Sequence, residues 1–338
     1  MEENNPDNDE EINNQQNDNW NFSEFKTDKL VELCKMAQSN ENKLKREFLI
    51  QYNELSLEEK NTTQIIAINQ SNSSCYVFNV LTNKIEEIKT NIKFPMHLSY
   101  INLPPNVYIS GGKSEKENSK DISILKRTGE NSFSYEKIAQ LKEARTHHCS
   151  IYIKSINSIL FISGSKIKSC EKYSLTDKKV ETFPPLKASR EKCCACVLNS
   201  NDLYVFFGFD RTKNKFESSI EKISISDGTN WEVITVSGSQ NLMKKQNFAC
   251  LPFDYDNKKG VIITGGINSL RNETKEIVYF DYVQKKVESF GDLPCNSSFT
   301  NSFYINFNTL GYCDEFYNIS NEFNVIKFSP ESQRFSKI

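Results

Sequence analysis

Apolar positions follow two rhythms along this chain of 338 residues. From Phe22 to Leu57, Leu30, Leu33, Cys34, Ala37, Leu44, Phe48 and Leu55 recur at three- and four-residue steps with no proline, which predicts a helix burying one face. On a 4-3 seam, Glu41 and Gln51 interrupt the pattern. That fits an imperfect coiled coil, or a helix or helix pair (broken at "QSNEN", 38–42) packed on the domain beside it. After Asn61, runs of four to eight residues rich in Ile, Val, Phe and Tyr alternate with Asn, Lys, Ser and Gly clusters. No long helical pattern returns, so the remainder is predicted to be all-β. Residues 1–21 follow neither rhythm; Asn, Gln, Asp and Glu offer little to bury, and a disordered acidic tail is expected.

The β-rich part is repetitive. Six apolar runs end at or beside a glycine or its substitute: "QIIAINQ", "NVYISGG", "ILFISGS", "LYVFFGF", "VIITGG" and "NTLGYCD". Gly111, Gly112, Gly164, Gly208, Gly265, Gly266 and Gly311 stand at these ends, seven of the chain's twelve glycines, a clustering that scattered turns would not produce. Each run leads to a strand carrying an aromatic, then six residues, then a second bulky apolar residue. The pairs are Phe78 with Ile85, Tyr173 with Val180, Phe280 with Val287 and Phe328 with Phe335. Two copies vary in loop length, reaching Tyr135 in "LKRTGENSFSY" and Trp231 in "SISDGTNW". The second anchors lie 45 to 56 residues apart, the period of a blade-type repeat. Strands joined by such short turns would set aromatic and partner side by side, both facing the next sheet.

This pattern resembles the kelch repeat: a strand ending in two glycines, a Tyr and Trp separated by six residues, and a short proline-containing stretch with an arginine leading into the next innermost strand. "QLKEARTHHCSIYI" and "FPPLKASREKCCACV" match that last element, with Arg145 and Arg190 at the arginine position. The resemblance covers residues 62–338 as six degenerate copies, with the glycine pair intact at 111–112 and 265–266. It implies a six-bladed, four-stranded-per-blade β-propeller. The first copy lacks an innermost strand. Either "EFLIQYN" (47–53) supplies one, against the helical reading of 44–55, or that blade has three strands.

Charge narrows the partners. The formal net charge is -2, but the first 21 residues hold acids and no Lys or Arg, leaving the rest at about +5. Neither nucleic acid nor membrane is expected as a partner. The N-terminus lacks an apolar signal region, and no apolar stretch reaches the ~18–20 residues of a span, so a cytoplasmic, reducing setting with free thiols is expected.

Candidate chemistry is sparse. The three histidines, His97, His147 and His148, fall in no metalloprotease, nucleophile-elbow or P-loop motif, and no cofactor is expected. Arg190 to Leu198 reads as the innermost strand of the fourth copy, so Cys193, Cys194 and Cys196 lie where small residues must crowd the axis, and cysteine packs there as a small hydrophobe. The spacing is not that of a structural zinc site; a channel-mouth metal site would draw on His148 and Cys193. The expected function is therefore a non-catalytic interaction scaffold, cytoskeletal or within another multi-subunit assembly. Ubiquitin-ligase adaptor and propeller enzyme are the alternatives. The resemblance points to loops leaving the second strand and loops leading into the first. Arg211, Lys213, Phe216, Leu270 and Arg271 are the candidate contacts, their basic tone suiting an acidic peptide or surface. Arg145 and Arg190 either join them or serve blade packing. Residues 22–57 would supply dimerisation or docking.

Overall fold

A computed structural model describes residues 57–61, 63–79, 81–82, 84–115, 117–255, 258–297, 299–305, 315–320, 325–329 and 334–337. The acidic tail, "EFLIQYN" and the helical segment apart from Leu57 lie outside the described residues. A short helix α1 (Leu57–Asn61) leads into a three-stranded sheet of β1 (Gln64–Asn69), β2 (Ser74–Asn79) and β3 (Lys84–Lys89). Five four-stranded blades follow. Blade one holds β4 (Ser99–Leu103), β5 (Asn106–Ser110), β6 (Asp121–Gly129) and β7 (Ser132–Gln140); blade two holds β8 (Cys149–Ile153), β9 (Ser158–Gly164), β10 (Ile167–Ser174) and β11 (Val180–Phe183). Blade three is β12 (Cys194–Leu198), β13 (Asp202–Phe206), β16 (Ile220–Ser224) and β17 (Glu232–Ile234), with a two-stranded insert of β14 (Phe209–Asp210) and β15 (Lys215–Phe216). Between it and blade four come β18 (Ser237–Gly238), helix α2 (Gln240–Met243) and β19 (Lys245–Gln246). Blade four is β20 (Ala249–Tyr255), β21 (Lys258–Thr264), β23 (Thr274–Asp281) and β24 (Lys286–Ser297); β18 adds to its outer edge, and β22 (Ile267–Asn268) pairs with β19. Blade five is β25 (Phe299–Ile305), β26 (Glu315–Ser320), β27 (Val325–Ser329) and β28 (Arg334–Lys337).

The chain is thus an all-β propeller with five blades, not the six expected. The innermost strands β4, β8, β12, β20 and β25 neighbour one another in turn, and β25 meets β4 again, so five strands close the ring. The first copy contributes none. Its axial edge is capped by side chains of β4: the Asn102 amide accepts from Ile66 N at 2.8 Å and donates to Ile66 O at 3.0 Å, while the Tyr100 hydroxyl accepts from Ile68 N at 3.3 Å. Asn102 and Tyr100 are both buried, so backbone groups that a fourth strand would pair are already satisfied. Buried Arg127 of β6 ties the sheet down from outside, donating to Gln64 at 3.0 Å and pairing with Glu86 at 2.6 Å.

The repeat anchors are direct cross-strand partners: Phe78 with Ile85, Tyr173 with Val180, Phe280 with Val287 and Phe328 with Phe335. They do not all face the next blade as expected. Phe280, Val287 and Trp231 are buried, whereas Ile85 and Tyr135 are 43% and 36% exposed. Ile85 lies on an outer strand whose pattern is almost wholly exposed, and Tyr135 on an equally wet outer strand, so the second anchor seals a gap only where another blade covers it. A large apolar cluster lies between blades three and four, where Phe206, Phe207, Phe248 and Phe280 pack edge-on or tilted at centroid distances of 5.5–6.0 Å. Each such aromatic contributes about 2–3 kcal/mol by burial.

Candidate functional site: the loop face and channel mouth

Loops leaving the second strand and loops leading into the first share one end of the propeller, and a short antiparallel pairing welds them within a blade. Met96 and Lys113 exchange backbone bonds in blade one, Glu191 and Phe209 in blade three, and β19 with β22 in blade four. A second set of bonds links neighbouring blades. His97, His147, Lys192 and Asn247 hold positive φ of 54–60°, and each passes a backbone bond to the next: His147 N to His97 O, Lys192 N to His147 O, Asn247 N to Lys192 O. These four occupy equivalent repeat positions and form an arc at the end of the innermost strands. The glycines just past β5 and β13 and at the end of β9 serve the same joint, Gly112 donating to Arg145 O, Gly164 to Arg190 O and Gly208 to Lys245 O. Gly208 (φ +109°) donates to Lys245 O at 3.0 Å, and a Cβ there would lie 2.9 Å from Glu191 O.

Arg145 and Arg190 sit beneath this surface, and the two sites are near copies. Both side chains are 0% exposed and pair at 2.8 Å with buried Glu171 and Glu221. Arg145 donates to Ser163 O, Ser169 O and Ser169 Oγ; Arg190 donates to Phe207 O, Ser219 O and Ser219 Oγ. Each glutamate also caps the preceding loop, accepting from Lys142 N and Glu143 N, or from Lys187 N and Ala188 N. These arginines occupy the blade-packing role and reach no outer surface. In blade four the place is taken by Lys245 with Glu276, and burial holds the Lys245 pKa below its ordinary value. Sequence reading missed the acidic half. Its signal is a recurring Ser/Thr-x-acid unit a few residues past the glycine: Ser119–Asp121, Ser169–Glu171, Ser219–Glu221 and Thr274–Glu276.

The other predicted contacts are on the loop face. Arg211, half exposed, clamps buried Glu191 at 2.8 and 3.1 Å, and that carboxylate raises its pKa. Lys213, 58% exposed, lies 3.4 Å from Asp210, whose carboxylate also accepts from the Thr212 and Lys213 amides. Phe216 packs edge-on against Phe209 at 5.3 Å, stiffening the insert. On the blade-four loop Leu270 is 77% exposed and Arg271 is exposed in the left-handed region (φ 65°).

At the mouth, His97 and His147 stack with centroids 4.0 Å apart, a pairing the sequence did not reveal. Burial lowers the pKa of both, reinforced by Lys192 at His97 and by His97 and then Lys192 at His147, which falls to about 4. His148 points instead between blades one and two, its Nε2 2.7 Å from Ser110 Oγ, and burial lowers it to about 3. Cys193, at the equivalent position one blade on, packs with Cys170, Leu160 and Leu203 between blades two and three. His148 and Cys193 therefore enter different inter-blade gaps and are not brought together. Among the described residues no group of three His, Cys, Asp or Glu is placed to hold a metal ion. No described helix is long and apolar enough to cross a membrane. No family model and no curated protein matches the chain, so the kelch resemblance rests on the repeat itself.

Proposed function

We propose that this propeller is a non-catalytic protein-interaction module of kelch type, acting as a cytoplasmic scaffold in a cytoskeletal or other multi-subunit assembly. The observation that carries this reading is the pairing of a stiff loop face with exposed apolar and basic side chains. Loops are welded in pairs within blades one, three and four, and they present Lys213 and, above all, Leu270 at 77% exposure beside Arg271. A side chain as large and exposed as Leu270 gains from a partner, and a preorganised loop loses little entropy on binding. The basic neighbours favour an acidic peptide or acidic protein surface. Residues 22–57 would provide dimerisation or docking to the larger assembly.

The test is an affinity pull-down from native extract with the full chain, beside a Leu270→Ser/Arg271→Glu variant, with metal analysis of the purified protein. Arg211 is left intact because it neutralises buried Glu191. A stoichiometric partner retained by the wild type and lost by the folded variant is the expected result. A partner held equally by both overturns the placement of the face. No stoichiometric partner, with near-molar copper or zinc, overturns the scaffold reading in favour of an enzyme.

A further inference from the structure

The arc of left-handed residues at the mouth holds positive charge that no described carboxylate pairs with. His97, His147 and Lys192 are successive members, joined by His147 N to His97 O at 3.0 Å and Lys192 N to His147 O at 2.8 Å. The welds beside them bring in further charges. Lys113 pairs with Met96, the neighbour of His97, and Phe209, two residues before Arg211, pairs with Glu191, the neighbour of Lys192. The Glu191 carboxylate is already engaged, because the Arg211 fork holds both its oxygens at 2.8 and 3.1 Å. Among the described residues neither Lys113 nor Lys192 makes a side-chain ion pair or hydrogen bond, although Lys192 is half-buried. A half-buried ammonium without a partner is costly, and burial lowers the Lys192 pKa. Beside it His147 Nδ1 is buried with no hydrogen-bond partner, and the ring stacks on exposed His97 at 4.0 Å. Buried polar atoms left unpaired in this way are rare.

We propose that this mouth is a seat for a phosphate-class oxyanion, held by Lys192 and the His97–His147 pair with Lys113 at its rim. A planar guanidinium fork would favour a carboxylate, but the Arg211 fork is taken by Glu191. The donors left are single-point ones, an ammonium and imidazole N–H groups, which suit an oxyanion with several acceptor oxygens. The seat is also pH-gated. Burial is the largest cause lowering the pKa of both rings. At His97 the cations Lys192, Lys113 and Arg211 lower it further and Glu191 raises it. At His147 the lowering neighbours are His97, Lys192 and Arg211, again opposed by Glu191. A bound oxyanion supplies negative charge and raises both pKa values, so by linkage its affinity rises as pH falls. The seat is independent of Leu270 and Arg271 in blade four. The loop-face reading enters only in naming a phosphorylated side chain of the acidic partner as one source of the oxyanion, a free phosphate ester being the other.

With only three histidines in the chain, ring-labelled NMR of the full protein resolves the pair and, as internal control, buried His148. Sulfate, a dianion throughout, is titrated at constant ionic strength over about pH 5–8, the window in which histidines change charge. It should shift His97 and His147 saturably, raise the pKa of each by about half a unit or more, and leave His148 still. Half a unit is a gain of about three-fold per ring on acidification through that window. Inorganic phosphate should compete for the same seat and acetate should not, and Lys192→Gln should weaken sulfate about ten-fold. Phosphoserine within an acidic peptide, set against inorganic phosphate, separates the two sources: tighter binding assigns the oxyanion to a partner's side chain, equal binding to a free ester. No saturable shift of the pair, an equal shift of His148, acetate binding as well as sulfate, or affinity that does not rise on acidification would each overturn the proposal. The wild-type titration decides even if the variant does not fold. Because it contains no partner, it stands or falls apart from the pull-down on Leu270 and Arg271.

Discussion

Replacing Glu221 by glutamine should be among the most damaging single changes in the protein. Glu221 is fully buried and accepts four hydrogen bonds: from Lys187 N at 2.6 Å, Ala188 N at 3.1 Å, and Arg190 Nε and Nη2 at 3.3 and 2.8 Å. The amide keeps the shape but loses the charge, and one of its two polar atoms donates where every partner also donates. Arg190 is then a buried cation with no counter-charge. Breaking one side of a buried pair costs about 3–5 kcal/mol. For a domain of this size that is a fall in Tm of roughly 6–20 °C. Urea unfolding followed by tryptophan fluorescence reads it directly, because Trp231 sits in the same blade, its Nε1 donating to Pro184 O at 2.7 Å. Replacing both partners, Arg190→Leu with Glu221→Leu, should recover only part of the loss. The pair also serves Phe207 O, Ser219 O and the Lys187 and Ala188 amides, and leucines would leave these backbone groups bare. The exposed pair Lys286–Glu288 is the control, and Lys286→Ala should leave Tm unchanged. A loss below about 1 kcal/mol for Glu221→Gln, in the range of a surface pair, would refute the reasoning.

Further outcomes follow from the same structure. Stability should fall on acidification from about pH 6.5 toward pH 4, because His148 and His147 are neutral when folded, with pKa values of about 3 and about 4, while the unfolded chain protonates near 6.5. Each group contributes at most ~1.4 kcal/mol per pH unit in that window and nothing above it. His148→Gln should flatten the slope, and an unchanged profile would count against its burial as a neutral ring. Asn102→Ala should bare the amide and carbonyl of Ile66 and loosen the first sheet by about 2–4 kcal/mol; hydrogen exchange should rise over 64–69 first, and uniform exchange would refute the capped edge. Gly208→Ala, at φ +109° with Glu191 O too close for a Cβ, should cost about 1–3 kcal/mol in thermal unfolding, whereas a neutral result would place that joint wrongly.

The repeat was legible because its signal is local. A strand that stops at glycine and an aromatic paired across a short hairpin depend on residues within about ten positions, so the strand hairpins and their register could be read from spacing alone. Phe280 and Val287 illustrate this: seven residues apart in sequence, directly opposed in the sheet. The number of blades is a different kind of quantity. It depends on which strand edges remain free, and Asn102 and Tyr100, more than thirty residues beyond the edge they cap, removed one from the ring. Side-chain roles divided in the same way. Arg145 and Arg190 stood out as repeated arginines open to either partner contact or blade packing, but their buried place lay in Glu171 and Glu221, 26 and 31 residues later, with which they pair. Local periodicity is written in the chain because each turn is closed by its own neighbours; closure of the ring and assembly of its buried charged pairs are decided where distant edges meet.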